Sequence, residues 1–106
     1  MNIKEITPIE MQEWKSLSKE FQLIDVREAH EIEIANIGGT HIPMGEVPSR
    51  TEELRKDIPV IIHCRSGARS GAICSFLETL GFSNVYNLKG GILAYAKEID
   101  PSLPVS

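Results

Sequence analysis

Residues 58–80 read IPVIIHCRSGARSGAICSFLETL, and this stretch decides the fold. It contains an apolar run rich in β-branched residues (58–62), a short segment with one glycine (64–70), and a segment with apolar residues at helical spacing (72–80). The pattern predicts a central parallel strand buried on both faces, a tight loop and a helix. Such a loop turns backbone N–H groups inward, and the helix adds the positive end of its dipole, so the loop favours an anion.

Cys64, the first residue of this loop, is the candidate nucleophile. Its thiolate is an anion of the kind the loop would stabilise, and Arg65 and Arg69 add positive charge, a setting that lowers thiol pKa values. The alternative is that Cys64 is a small buried hydrophobic residue. The two arginines and the glycine disfavour that alternative, because a buried arginine needs a partner or solvent.

The second cysteine, Cys74, falls inside the predicted helix with no positive residue close to it, so we expect it to pack in the core. The two cysteines form neither a C-x-x-C pair nor a disulfide framework, and no histidine pair has zinc spacing. We therefore expect no metal and no cofactor, and a reducing compartment, the cytoplasm.

Length and charge limit the possible classes of protein. A chain of 106 residues is expected to form a single domain over residues 1–106. The net charge of −4 and the absence of a long Lys/Arg cluster argue against a nucleic-acid surface. The N-terminus lacks an apolar signal region, and the apolar runs are far shorter than the roughly 20 residues of a membrane span. We expect a soluble protein without nucleic-acid or membrane partners.

The rest of the chain alternates predicted strands with predicted helices. Thr7 and Glu10 form a capping-box pattern at the start of the first helix, and Ser70 is expected to cap the helix after the loop. Two glycines, Gly90 and Gly91, suggest close backbone approach before the last helix. Strands are predicted at 3–6, 21–26, 58–63 and 83–88, with a further short extended piece at 41–43, and helices at 8–17, 29–35, 48–56, 72–80 and 92–99. This alternation predicts an α/β sandwich with a mainly parallel sheet of four or five strands.

Two polar residues outside the loop occupy positions where a site could form. Asp25 ends a predicted strand, at the edge where open α/β sheets assemble their sites, although a turn or capping role is the more ordinary reading. His41 lies where the rim of a site is expected. No partner for it is evident in the sequence, so we assign it no part in the mechanism.

Several motifs together resemble those of single-domain rhodaneses, which are sulfurtransferases. They are LIDVRE (23–28), NIGGTHIP (36–43), VIIHCRSGARS (60–70) and NLKGGILAY (87–95), and they follow the family's order over nearly the whole chain. The resemblance implies a three-layer rhodanese-like sandwich in which Cys64 carries a persulfide and Asp25 and Arg27 support the loop from behind. It also implies that the active-site loop is formed by Arg65, Ser66, Gly67, Ala68, Arg69 and Ser70.

The chain departs from the family pattern at two places. Tyr95 stands where relatives usually carry tryptophan after the double glycine, and NIGGTHIP is one residue shorter than the commoner HIPGAINIP form. Neither departure touches the loop. Both concern the expected rim of the pocket, so the preference for an acceptor stays open.

The mechanism implied by the resemblance is a double displacement without a metal or organic cofactor. Cys64 takes the outer sulfur of a small anionic donor such as thiosulfate, and a thiophilic acceptor such as cyanide or a thiol removes it. A sulfur-relay protein is a further candidate partner. Two alternatives stay open: a cysteine-dependent phosphatase or arsenate reductase, and a persulfide carrier or protein-binding module with little turnover. Four residues separate Cys64 from Arg69, whereas the related phosphatases carry five, and the shorter loop favours sulfur.

Overall fold

The structure is a computed structural model, and it describes residues 3–105. Five strands and four α-helices alternate along the chain, with two 3-10 turns, Met44–Ser49 and Thr51–Glu53, before the fourth strand. In chain order the elements are β1 (Glu5–Ile6), α1 (Pro8–Ser16), β2 (Gln22–Asp25), α2 (Ala29–Ile34), β3 (Thr40–His41), β4 (Val60–His63), α3 (Ala68–Thr79), β5 (Val85–Leu88) and α4 (Gly91–Glu98).

All five strands form one parallel sheet in the order β1-β5-β4-β2-β3. The predicted central strand is confirmed, since β4 lies in the middle and all four of its residues are buried. In the register of β2 with β4, Asp25 is opposite His63, so both strands end at the same edge of the sheet. The α/β class with a parallel sheet flanked by helices is therefore confirmed.

The core has two parts, one on each face of the sheet. Alternate residues of β4 divide between them: Val60 and Ile62 belong to the part that includes Ile73 and Leu77 of α3. Ile61 belongs to the other part, which includes Met11 of α1 and Leu88 of β5. Because neighbouring strand residues point to opposite faces, this division produces three layers with the sheet in the centre.

Helix α1 begins as its sequence predicts. The Thr7 side chain accepts a hydrogen bond from the Glu10 backbone N–H at 3.1 Å, and the Glu10 carboxylate accepts one from the Thr7 N–H at 2.9 Å. Trp14 packs against Phe21 and Tyr86 and so fills the core beneath this helix. The capping box fixes the start of α1 on the sheet.

The helix predicted for residues 48–56 is wrong. The chain instead forms the two 3-10 turns Met44–Ser49 and Thr51–Glu53. Pro48 lies inside the first turn and has no N–H to donate, so an α-helical ladder cannot run through this segment. Within residues 3–105, no helix has the length and apolar character needed to cross a membrane.

Candidate active site

Cys64 lies between the central strand and α3, at the carboxyl edge of the sheet. Helix α3 begins at Ala68, and its N-cap is Gly67 in the left-handed conformation, with φ of 103°. The prediction that Ser70 caps this helix is therefore wrong. Glycine reaches this conformation without a Cβ penalty, so the chain enters the helix three residues earlier than a cap at Ser70 would allow. Ser70 consequently lies in the first turn, fully buried, where its hydroxyl faces the thiol.

Three hydrogen-bond donors converge on the sulfur of Cys64. The backbone N–H groups of Gly67 and Ser70 donate to Sγ at 3.1 and 3.4 Å. The Ser70 hydroxyl lies 3.3 Å from the same atom. Donors aimed at one atom from a loop and a helix N-terminus favour its charged form.

The pKa of Cys64 lies below its ordinary value as a result. Burial of the thiol opposes this and raises the pKa, but hydrogen bonds from Ser70, Gly67 and the Ser66 backbone outweigh it. The other cysteine, Cys74, is fully buried, and burial raises its pKa to about 12. The expectation that Cys74 packs in the core is confirmed, and at neutral pH its thiol is protonated.

Arg69 is paired and does not face the thiol as a free charge. Its guanidinium donates two hydrogen bonds to the Glu31 carboxylate of α2, at 2.7 and 2.8 Å. These bonds lower the pKa of Glu31 to about 2. The pair ties the loop to α2. Sequence reasoning missed Glu31, which reads only as one of several acidic residues on that helix.

The two residues implied as a supporting pair, Asp25 and Arg27, form a buried ion pair. Arg27 Nη2 lies 2.7 Å from Asp25 Oδ2, and each residue is only 2% exposed. Burial raises the pKa of Asp25, but hydrogen bonds from Arg27 lower this pKa by more than burial raises it. The pKa of Asp25 therefore lies below its ordinary value. Arg27 also donates to the Ala35 carbonyl at 2.7 Å. The pair therefore ties the C-terminal end of α2, at Ala35, to the end of β2.

Two histidines near the site have structural positions. His63 is fully buried, with Nε2 3.6 Å from Asp25 Oδ2. Burial lowers the pKa of His63 to about 4, so it is neutral at pH 7. His41 Nε2 lies 2.6 Å from the Arg27 carbonyl and is engaged with the backbone.

A second buried network joins the loop to β5. The Ser70 hydroxyl lies 2.5 Å from Asn87 Oδ1, and Asn87 Nδ2 donates to the Gly67 carbonyl at 3.1 Å. Asn87 is 4% exposed. Sequence reasoning treated it only as part of a predicted strand, and no local signal distinguishes it from its neighbours there.

The start of α4 packs directly against the loop backbone. Gly91 has φ of 62°, and a Cβ on it would lie 2.4 Å from the Arg65 carbonyl oxygen. The Ile92 and Leu93 N–H groups donate to the carbonyls of Cys64 and Arg65 at 2.9 and 3.1 Å. The close backbone approach predicted from the double glycine is therefore confirmed, and it gives the carbonyls of Cys64 and Arg65 hydrogen-bond partners at the start of α4.

A pocket lies beside the loop and contains the exposed Arg65. Within the part of the chain that the structure describes, Arg65 forms no ion pair, so its charge is available to an anion. The walls of the pocket are Arg27, Glu31, Ile34, Ala35, Arg65, Ile92, Pro104 and Val105.

Tyr95 is not among these wall residues. It packs with the core part beneath α1, and Lys15 Nζ lies 5.7 Å from its ring centre. The replacement of the usual tryptophan therefore falls away from the pocket wall.

A cysteine whose sulfur accepts inward N–H groups at the end of a central parallel strand has the arrangement of a cysteine-dependent active site. Residues 9–98 match the family model of the Rhodanese-like domain. The chain belongs to the rhodanese-like family, for which sulfur transfer is the supported activity.

Similar proteins support the same assignment. The protein named "Putative sulfurtransferase YtwF" from Bacillus subtilis (strain 168) is 40% identical over 102 residues, which cover 95% of this chain and 98% of that protein. A "Sulfurtransferase" from Allochromatium vinosum is 43% identical over 76 residues, or 71% of each chain. The crystal structure of a rhodanese-like domain protein from Staphylococcus aureus has a TM-score of 0.83 at 28% identity, covering 98% of this chain and 99% of its own.

Proposed function

We propose that the protein transfers sulfane sulfur through a persulfide on Cys64, from a small anionic donor such as thiosulfate to a thiophilic acceptor such as cyanide or a thiol. The convergence of three donors on Cys64 Sγ carries the proposal. A thiol on a sulfur-relay protein is an acceptor of the same chemical class. Both cysteines are unpaired, which fits a reducing compartment such as the cytoplasm.

The reaction consists of two displacements at sulfur. The Cys64 thiolate attacks the outer sulfur of thiosulfate, the sulfur–sulfur bond of the donor breaks, and sulfite leaves with the bonding electron pair. The negative charge of the persulfide then lies on its terminal sulfur, where loop N–H groups stabilise it. Cyanide attacks that sulfur, the bond to Sγ breaks, and thiocyanate leaves while the thiolate is restored.

The experiment that tests the function compares sulfur with phosphate chemistry. Intact-protein mass spectrometry after thiosulfate treatment is expected to show a gain of one sulfur located on Cys64. Parallel assays with thiosulfate plus cyanide and with an activated aryl phosphate are expected to give thiocyanate without phosphate release. An unchanged mass, or Cys64-dependent phosphatase turnover above sulfur transfer, would overturn the proposal.

The same experiment includes a variant of the loop with one glycine inserted after Gly67. The insertion gives the loop the five-residue spacing of the related phosphatases, so sulfur transfer is expected to fall as the N–H groups move away from the sulfur. A persulfide that forms but turns over slowly with both cyanide and thiols would instead favour the carrier alternative.

Arg65 is expected to recruit the anionic donor, because it is exposed in the pocket and unpaired among residues 3–105, whereas Arg69 is held by Glu31. Arg65→Ala should raise KM for thiosulfate about tenfold, the effect of losing one hydrogen bond to a charged group, with a smaller change in kcat. Steady-state kinetics at two ionic strengths measure this.

A matched control removes an arginine whose charge lies outside the pocket. Arg50→Ala changes the net charge equally, but Arg50 is paired with Glu46 and Glu53 and does not line the pocket. The KM of the Arg50→Ala variant for thiosulfate should equal that of the wild type. Equal increases in the two variants would mean that net charge, and not Arg65, attracts the donor.

A further inference from the structure

We infer that Asn87 is a positioning residue for the Cys64 chemistry. One end of its amide fixes the loop at Gly67, and the other end decides whether the Ser70 hydroxyl donates to Cys64. The part of this inference that concerns the persulfide rests on the proposed function. The part that concerns the thiolate does not.

Hydrogen-bond chemistry fixes the orientation of the Asn87 amide. The Gly67 carbonyl can only accept, so the group 3.1 Å from it must be the Nδ2 donor. Oδ1 then faces the Ser70 hydroxyl at 2.5 Å. Ser70 is fully buried and Asn87 nearly so, which keeps bulk water from supplying a substitute partner.

The Ser70 hydroxyl has a single proton and two acceptors to choose between, Asn87 Oδ1 at 2.5 Å and Cys64 Sγ at 3.3 Å. When Cys64 is a thiol, its S–H can donate to the Ser70 oxygen while the hydroxyl donates to Asn87. When Cys64 is a thiolate, the charge on Sγ attracts the hydroxyl proton, and Oδ1 loses its partner.

Persulfide formation reverses this choice. The charge then lies on the terminal sulfur, Sγ becomes a neutral sulfur with two covalent bonds, and the hydroxyl proton returns to Asn87. The hydroxyl therefore stabilises Sγ only when this atom carries the negative charge. This is the case when the thiolate attacks the donor and when it leaves as the acceptor takes the outer sulfur. Asn87 supplies the resting partner between these steps.

Other charges around Cys64 stay constant in the experiment. Arg69, in the first turn of α3, is paired with Glu31 of α2, and Cys74 lies one turn further along α3. Arg65 follows it in the chain, and His63 precedes it. None of these residues is changed in the variants, so a shift in the thiol pKa reports the hydroxyl network.

The test measures the pH dependence of iodoacetamide alkylation at Cys64, by peptide mass spectrometry, in wild type, Ser70→Ala, Asn87→Ala and the double variant. At a pH below the thiol pKa, Ser70→Ala should reduce the thiolate fraction of Cys64 about tenfold, because it removes one hydrogen bond to a charged group. Asn87→Ala should increase it about fivefold, because the competing acceptor is gone. In the Ser70→Ala background, Asn87→Ala should have no effect.

Asn87→Asp separates this mechanism from simple loosening of the loop. Aspartate has nearly the same size and keeps an acceptor for Ser70, but it adds a negative charge and loses the donor to Gly67. It should raise the thiol pKa, opposite in sign to Asn87→Ala, in a protein whose thermal unfolding remains cooperative.

The inference is overturned if Asn87→Ala raises the thiol pKa, or if it causes the same shift with and without the Ser70 hydroxyl. These measurements need no sulfur donor, so they stand even if sulfur transfer fails. Where transfer is active, kcat of Asn87→Ala is expected to fall in spite of its larger thiolate fraction, since the Gly67 carbonyl has lost its anchor.

Discussion

Cys64→Ser is expected to lower sulfur transfer at least about a thousandfold, to the background rate, because the nucleophile itself is removed. A serine hydroxyl stays protonated at neutral pH and cannot form a persulfide. Formation of thiocyanate from thiosulfate and cyanide measures the loss, and mass spectrometry should show no added sulfur. The fold should persist, since serine keeps the size and the hydrogen-bonding capacity that Ser70 and Gly67 require.

Cys74→Ser is the matched control, because it makes the same chemical change at the other cysteine. Cys74 is buried in the core and its pKa is about 12, so it contributes no nucleophile at neutral pH. Most activity should remain, although a hydroxyl in this apolar position is expected to cost about 1–3 kcal/mol of stability. If Cys74→Ser were the more damaging to turnover in a protein that is still folded, the assignment of Cys64 would be wrong.

The central strand and the loop could be predicted from sequence because their signals are local. Uninterrupted β-branched residues at 60–62 require burial on both faces, and β4 lies in the centre of the sheet. The double glycine likewise indicated close approach, and Gly91 leaves no room for a Cβ beside the Arg65 carbonyl. In both cases the physical constraint acts on neighbouring residues of the chain.

The partners of the loop could not be predicted, because they come from distant parts of the chain. Glu31 is 38 residues before Arg69, and Asn87 is 17 residues after Ser70. Nothing in the local pattern distinguishes Glu31 from Glu28 or Glu33, and only the packing of α2 beside the loop selects it. The role of Ser70 was missed for a different reason: the left-handed Gly67 starts the helix earlier than the usual cap pattern indicates.

The supporting pair leads to the second large effect. Arg27→Met is expected to destabilise the protein by about 3–5 kcal/mol at pH 7, because it leaves the buried Asp25 carboxylate without its cation. It also removes the donor to the Ala35 carbonyl at the end of α2. Urea unfolding measures the loss. Arg50→Met, which removes a half-buried arginine from a surface ion pair with Glu46 and Glu53, should leave the unfolding midpoint nearly unchanged.

The pH dependence of Arg27→Met identifies the cause of this loss. In the wild type the pKa of Asp25 is depressed, so the stability that it contributes is present above the unfolded pKa near 3.8 and is lost as the pH falls through the lower, folded value. In the variant, burial without Arg27 should raise the folded pKa above 3.8, so the folded state binds the extra proton and stability should increase on acidification from pH 7 to about 5. His63 contributes the opposite pH dependence in both proteins, because burial lowers its folded pKa to about 4 and acidification favours the unfolded state at this residue, so the comparison uses the difference between variant and wild type. The difference in the free energy of unfolding between Arg27→Met and the wild type should therefore be smaller at pH 5 than at pH 7. A gap that stays constant would mean that lost packing, rather than an unpaired charge, causes the destabilisation.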